Sequence, residues 1–159
     1  MDLVKFISSS ASETENIGKK LAKKLKGTEV ISLFGGLGAG KTAFTRGLSE
    51  GLGFEDGVSS PTFALVHEYE GKFPIFHFDM YRVTTYDDLY STGFFDYIGN
   101  GILVIEWKRL GTSLSLAHAR LVHSAKAPLD LTPSFLAIST SFFAMPGLAI
   151  AVPRRYLCS

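Results

Sequence analysis

Hydrophobic and polar positions along the chain follow two periods in turn. In SASETENIGKKLAKKLKG, residues 10–27, Ile17, Leu21 and Leu25 recur every four positions, and Ser12 and Glu15 have capping-box spacing. This predicts a helix that Gly27 ends. TEVISLF follows as a short β-branched and aromatic run that leads directly into glycines, and from Lys41 a second helical pattern runs through Phe44, Leu48 and Leu52 to Gly53. FALVHEY, FPIFHFDMY and GILVIEW read as further strands, with DDLYSTGFFDYI as a helical connection between the last two. Largely buried strands alternating with helices imply an α/β fold, a mostly parallel sheet flanked by helices. No internal repeat is visible.

Composition narrows the class. With 159 residues, 46% hydrophobic and 19% charged, the chain has the make-up of a single globular domain with a core and not of a disordered segment. A net charge of +1 excludes nucleic-acid binding by bulk electrostatics, so DNA is not an expected partner and RNA would be met locally or through other proteins. Cys158 has no partner for an internal disulfide and no secretory pattern opens the chain, so a reducing cytoplasm is expected. Lys19, Lys20, Lys23, Lys24 and Lys26 read as a solvated helix face in preference to a phosphate or RNA patch.

The C-terminal third is written differently. Residues 109–159 carry Arg109, Arg120, Lys126, Arg154 and Arg155 against Asp130 alone, while the preceding part is net acidic. Leu131–Pro153 has no charge and is long enough for the ~20 residues of a membrane span. Pro133, Pro146, Gly147 and the hydroxyls of Ser134, Ser139, Thr140 and Ser141 interrupt it, so no span is expected. The chain therefore divides into a first domain, residues 1–108, and an atypical tail, residues 109–159. The tail reads as a heavily diverged or out-of-frame end.

The chemistry concentrates in Gly35, Gly36, Leu37, Gly38, Ala39, Gly40, Lys41 and Thr42, with Ala43 following: G-x-x-x-x-G-K-[ST] between a strand and a helix. Glycines let backbone amides converge with a helix N-terminus on phosphate oxygens. Lys41 would reach the β- and γ-phosphates, and the Thr42 hydroxyl would ligate Mg²⁺. Hydrolysis also needs a carboxylate near the metal and a group that orients water, at the carboxyl ends of strands. Asp79 and Glu106 both qualify: either could hold Mg²⁺ through water while the other polarises the nucleophile, or one could merely cap a turn.

His77 shares a strand face with Asp79 and reads as a buried, hydrogen-bonded histidine more than a catalytic one. Ser59-Ser60-Pro61-Thr62 is either a switch near the γ-phosphate or a plain turn. Trp107 belongs to the nucleotide region, a partner-facing surface or the core, and Arg82 pairs with phosphate or with Asp87 or Asp88.

Taken together, GGLGAGKTAFTRGL, VSSPTFALVHEY, FHFDMYR and VIEW, in this order and spacing, resemble the bacterial TsaE (YjeE) family. The likeness runs from about Ser12 to Trp107. It implies a P-loop NTPase-like fold and a Mg²⁺-dependent ATPase of the tRNA threonylcarbamoyladenosine pathway. Such a protein associates with TsaB and TsaD homologues and meets ANN-reading tRNAs only through that complex. By the same resemblance Gly38 to Thr42 bind ATP, Thr42 and Glu106 are metal-site residues, and Asp79 is the second acidic residue; Lys41, Asp79 and Glu106 are the candidate catalytic set. Gly36 stands where the family usually has Asp, Ala43 where it often has a second Thr, and Lys108-Arg109 where it continues with an acidic residue. A non-enzymatic alternative is a nucleotide-dependent assembly module with little turnover. A small-molecule kinase is the weakest reading, because no acceptor pocket or lid can be identified.

Overall fold

The structure is a computed structural model that describes residues 3–54, 57–59, 65–107, 135–139 and 148–153. In chain order the elements are β1 (Leu3–Ser8), α1 (Ala11–Ala22), β2 (Val30–Phe34), α2 (Lys41–Gly51), β3 (Val66–Tyr69), β4 (Ile75–Asp79), α3 (Tyr86–Ser91), a 3-10 turn (Phe94–Tyr97), β5 (Ile102–Trp107), β6 (Phe135–Ser139) and β7 (Leu148–Pro153). Five strands form the main sheet in the order β3-β4-β5-β2-β6. All pairs in it are parallel except β3–β4, and β1 pairs antiparallel with β7 in a separate two-stranded ribbon. Neither β1 nor the strands β6 and β7, which fall within the atypical tail, are among the expected elements.

The central strands are buried on both faces, which is why they read as unbroken apolar runs. Period-two alternation then sorts their side chains. Ile31 and Leu33 of β2, Ile75 of β4, and Ile102 and Val104 of β5 face a core shared with Leu21 of α1 and Phe44 and Leu48 of α2. Val30 and Phe34, Phe76 and Phe78, and Leu103 and Ile105 face the opposite core, filled by Leu89 of α3 and Phe94. His77 and Glu106 occupy positions in step with Ile75 and Val104, so both lie on the α1/α2 side of the sheet.

The first helix differs from expectation at both ends. Its N-cap is Ser10, whose side chain accepts from the N–H of Glu13, while the Glu13 carboxylate accepts from the Ser9 N–H at 2.6 Å. The extended backbone at Ser10 starts the helix before the Ser12/Glu15 pair, and Glu15 instead accepts from Arg46 of α2 at 2.7 Å. At the other end, α1 stops at Ala22 rather than Gly27. The buried Glu29 carboxylate accepts the N–H groups of Lys26, Gly27 and Thr28, at 2.8, 2.9 and 3.1 Å, and holds them in a turn that has Gly27 at φ +104°.

Close packing of α1 on α2 depends on small residues. A Cβ at Gly47 would fall on the Glu15 carbonyl, and one at Gly18 would fall on that of Phe44. These contacts hold α2 directly against α1.

Candidate functional site

The loop between β2 and α2 takes its shape from its glycines. Gly38 and Gly40 adopt φ +75° and +86°, conformations strained for any residue with a Cβ, and Gly40 is the backbone N-cap of α2 with no side-chain cap. A helix N-terminus uncapped by a side chain leaves amide donors available to an anion. The loop is anchored at its base by the Gly35 N–H, which donates to the Trp107 carbonyl at 3.2 Å.

Around it lies a cavity of about 730 Å³, lined by Gly35, Leu37–Ala43, Ala11 at the start of α1, Asp79 and Tyr81 at the end of β4, and Glu106 and Trp107 at the end of β5. Leu37 is fully exposed at the rim. The Lys41 ammonium donates to the carbonyls of Gly35 and Gly36, both at 2.9 Å, and lies 4.0 Å from Glu106 Oε2. Thr42 Oγ1 donates to Glu106 Oε1 at 3.2 Å, and that oxygen also meets His77 Nε2 at 2.9 Å. Glu106 is only 5% exposed, so its charge is set among Lys41, Thr42 and His77 with little solvent screening.

Asp79 pairs with Glu106 in the β4–β5 register and borders the same cavity. Its Oδ1 accepts from the Tyr81 N–H at 2.9 Å, so it caps the following turn as well. Behind Glu106, His77 is wholly buried, and its Nδ1 lies 3.3 Å from the Tyr69 hydroxyl. That hydroxyl donates to the Ser59 carbonyl at 3.1 Å and also lies 3.3 Å from His67 Nδ1. Burial first, and the Glu106 charge second, push the Tyr69 phenol up to about 12.

The geometry therefore gathers Thr42 and Lys41 around Glu106, at 3.2 and 4.0 Å, and sets Asp79 beside them. Trp107 borders the cavity and also packs in the core, its ring 6.5 Å from that of Phe34. Arg82 is exposed and is not among the residues lining the cavity, and Asp88 is engaged in capping α3. Of Ser59-Ser60-Pro61-Thr62, only Ser59 lies within the described residues. Among the described residues no cluster of three or more His, Cys, Asp or Glu side chains could form a metal cage, and no helix is long and apolar enough to cross a membrane.

The family model described as "Threonylcarbamoyl adenosine biosynthesis protein TsaE" matches residues 8–129. The chain belongs to the TsaE family. The TsaE match continues past Trp107, where the motif-by-motif likeness stops. The chain is 45% identical over 112 residues to the tRNA threonylcarbamoyladenosine biosynthesis protein TsaE of Aquifex aeolicus, covering 68% of this chain and 80% of that protein. The corresponding figures for Bacillus subtilis TsaE are 40% over 112 residues, 69% and 70%. The crystal structure of Bacillus subtilis YdiB superposes with a TM-score of 0.61 at 29% identity, covering 98% of this chain and 90% of that one. The fold of this TsaE-family chain is accordingly P-loop NTPase-like.

Sequence reasoning missed Tyr69, Ala11 and Tyr81. For Tyr69 a signal existed: it alternates with His67 on β3, and the antiparallel partner β4 carries His77 opposite His67. Ala11 carried none, because only the tertiary placement of α1 brings it to the cavity.

Proposed function

We propose that the chain binds ATP with Mg²⁺ and hydrolyses it in the cytoplasm. This turnover would support tRNA N6-threonylcarbamoyladenosine modification, working with TsaB and TsaD homologues and meeting tRNA through that assembly. The observation that carries the reading is the meeting of Lys41, Thr42 and Glu106 at the mouth of a glycine loop. The donor set suits Mg²⁺: a hydroxyl and two carboxylates are hard oxygen ligands, and their small number leaves positions for phosphates and water. Thr42 would hold the ion directly, with Glu106 and Asp79 completing the site. When bound, the metal neutralises charge on the β- and γ-phosphates.

The protein's own groups do the rest. Loop amides and the α2 N-terminus cradle the phosphates, and the Lys41 ammonium moves from loop carbonyls to phosphate oxygens. Glu106 Oε2, the oxygen not engaged by Thr42 or His77, polarises a water for attack on the γ-phosphorus and accepts its proton. The bond to the β–γ bridging oxygen breaks, giving ADP and phosphate. On this reading the groups named above all lie within residues 1–108, the nucleotide-binding domain expected from the sequence.

The test measures ATP hydrolysis and complex assembly with and without the partner proteins. Weak intrinsic turnover that rises with partners and falls in Lys41→Ala and Glu106→Ala is expected. Unchanged stimulated turnover in both variants removes the catalytic assignment. Assembly that depends on ATP binding, with no turnover in the native chain, establishes the assembly module instead.

A further inference from the structure

A fully buried histidine needs a reason, because an apolar side chain would fill the same space without polar atoms to satisfy. His77 sits in the core between Ile75 and Asp79, and each ring nitrogen is engaged: Nε2 with Glu106 Oε1 at 2.9 Å, Nδ1 with the Tyr69 hydroxyl at 3.3 Å. An ionised carboxylate only accepts, so in a neutral ring the Nε2 carries the proton and Nδ1 must find a donor. The donor within reach is Tyr69, whose hydroxyl stays protonated at any ordinary pH and shares its one proton between His77 Nδ1 at 3.3 Å and the Ser59 carbonyl at 3.1 Å. The chain of contacts thus starts at Ser59, passes through two buried side chains and ends on the carboxylate that faces both Lys41 and Thr42.

We infer that His77, braced by Tyr69, is the positioning residue that holds the Glu106 carboxylate in a single orientation toward the cavity. This rests on the hydrolytic reading above. A glutamate side chain has three rotatable bonds, and Thr42 alone fixes one oxygen through a hydroxyl that a metal would engage. His77 grips the same Oε1 from the core side, which leaves Oε2 directed at the cavity. Swinging Glu106 away would take the acceptor from the Nε2–H of the wholly buried His77 and leave that donor unsatisfied. A supporting residue of this kind is worth about 10–100-fold in activity.

The decisive comparison uses the intact chain with its partner proteins. His77→Leu is expected to lower kcat about 10–100-fold with the KM for ATP unchanged. His77→Gln, whose amide N–H can replace Nε2–H, should recover most of the loss, and Tyr69→Phe should show a smaller kcat defect. In a Glu106→Ala background, His77→Leu should cost nothing further. Independently of turnover, nitrogen-15 NMR of the native chain should show His77 as a single Nε2–H tautomer whose ring proton exchanges slowly, and Glu106→Ala should abolish that slow exchange. Preserved kcat in folded His77→Leu, failure of His77→Gln to rescue, or additive losses in the double variant would overturn the inference. Should His77→Leu not fold, His77→Gln, Tyr69→Phe and the ring signal still decide it. If the native chain binds ATP without hydrolysing it, the hydrolytic reading fails by itself, while a ring proton that exchanges slowly with or without Glu106 sinks the positioning role.

Discussion

The Lys41 ammonium and Glu106 Oε2 stand 4.0 Å apart, both in a setting that is mostly shielded from solvent. The positive group is held there by two loop carbonyls and the negative one by Thr42 and His77, so each keeps its place without depending on the other. Removing Lys41 takes away the charge that would stabilise the transferring phosphoryl group. Lys41→Ala should lower kcat/KM for ATP by about 10²–10³, the usual loss for one electrostatic donor, as measured by steady-state phosphate release.

The contact between Gly47 and the Glu15 backbone makes a stability prediction that does not involve the site. Gly47→Ala places a methyl on a main-chain carbonyl that cannot move without displacing α1. A loss of about 1–3 kcal/mol is expected from chemical denaturation. Gly36→Ala is the control: it is exposed and has nothing within 4 Å of an added Cβ, so stability should be unchanged.

Tyr69 gives a prediction at high pH. Its folded-state pKa, about 12, lies above the ordinary value of 10.0, so the folded protein retains a proton that the unfolded chain releases. The stabilisation is complete below pH 10 and is lost as pH rises toward 12. Tyr69→Phe should flatten the decline, and ultraviolet titration should find one late-ionising phenol fewer in that variant, Tyr97, which donates to Glu68, also being raised.

Acid pH acts on α3. Asp88 accepts from the N–H groups of Thr84 and Thr85 and from the Thr84 hydroxyl, and these bonds, led by the Thr84 amide, lower its pKa from 3.8 to about 2. A depressed carboxylate stabilises above its unfolded pKa and stops doing so as pH falls through the folded one. The capping box should therefore open between about pH 4 and pH 2, seen as loss of amide protection at Thr84 and Thr85. Asp88→Asn should remove that pH dependence.

Much of the fold could be read because its central strands are buried on both faces and its helices carry one apolar stripe each. β2, β4, β5 and α2 follow directly from those patterns. The first helix departs from its apparent bounds at both ends because of two glutamates: Glu15 is drawn to Arg46 of α2, and Glu29 captures the three amides just ahead of it. β1, β6 and β7 lacked a local signature, since pairing with distant segments decides them. At the site, the glycine loop and the two acidic strand ends were evident from spacing. What linked His77 and Tyr69 to Glu106 was strand register, which a single sequence does not print.

The cavity wall draws on positions from Ala11 to Trp107, contributed by the start of one helix, the start of another and the ends of two parallel strands. A partly folded chain would have the glycine loop but not the enclosure. Occupancy of this cleft by nucleotide is therefore thermodynamically linked to the native ensemble as a whole: ligand at a hundred times its dissociation constant would add about 2.7 kcal/mol to the unfolding free energy. Melting temperature then becomes a gauge of saturation.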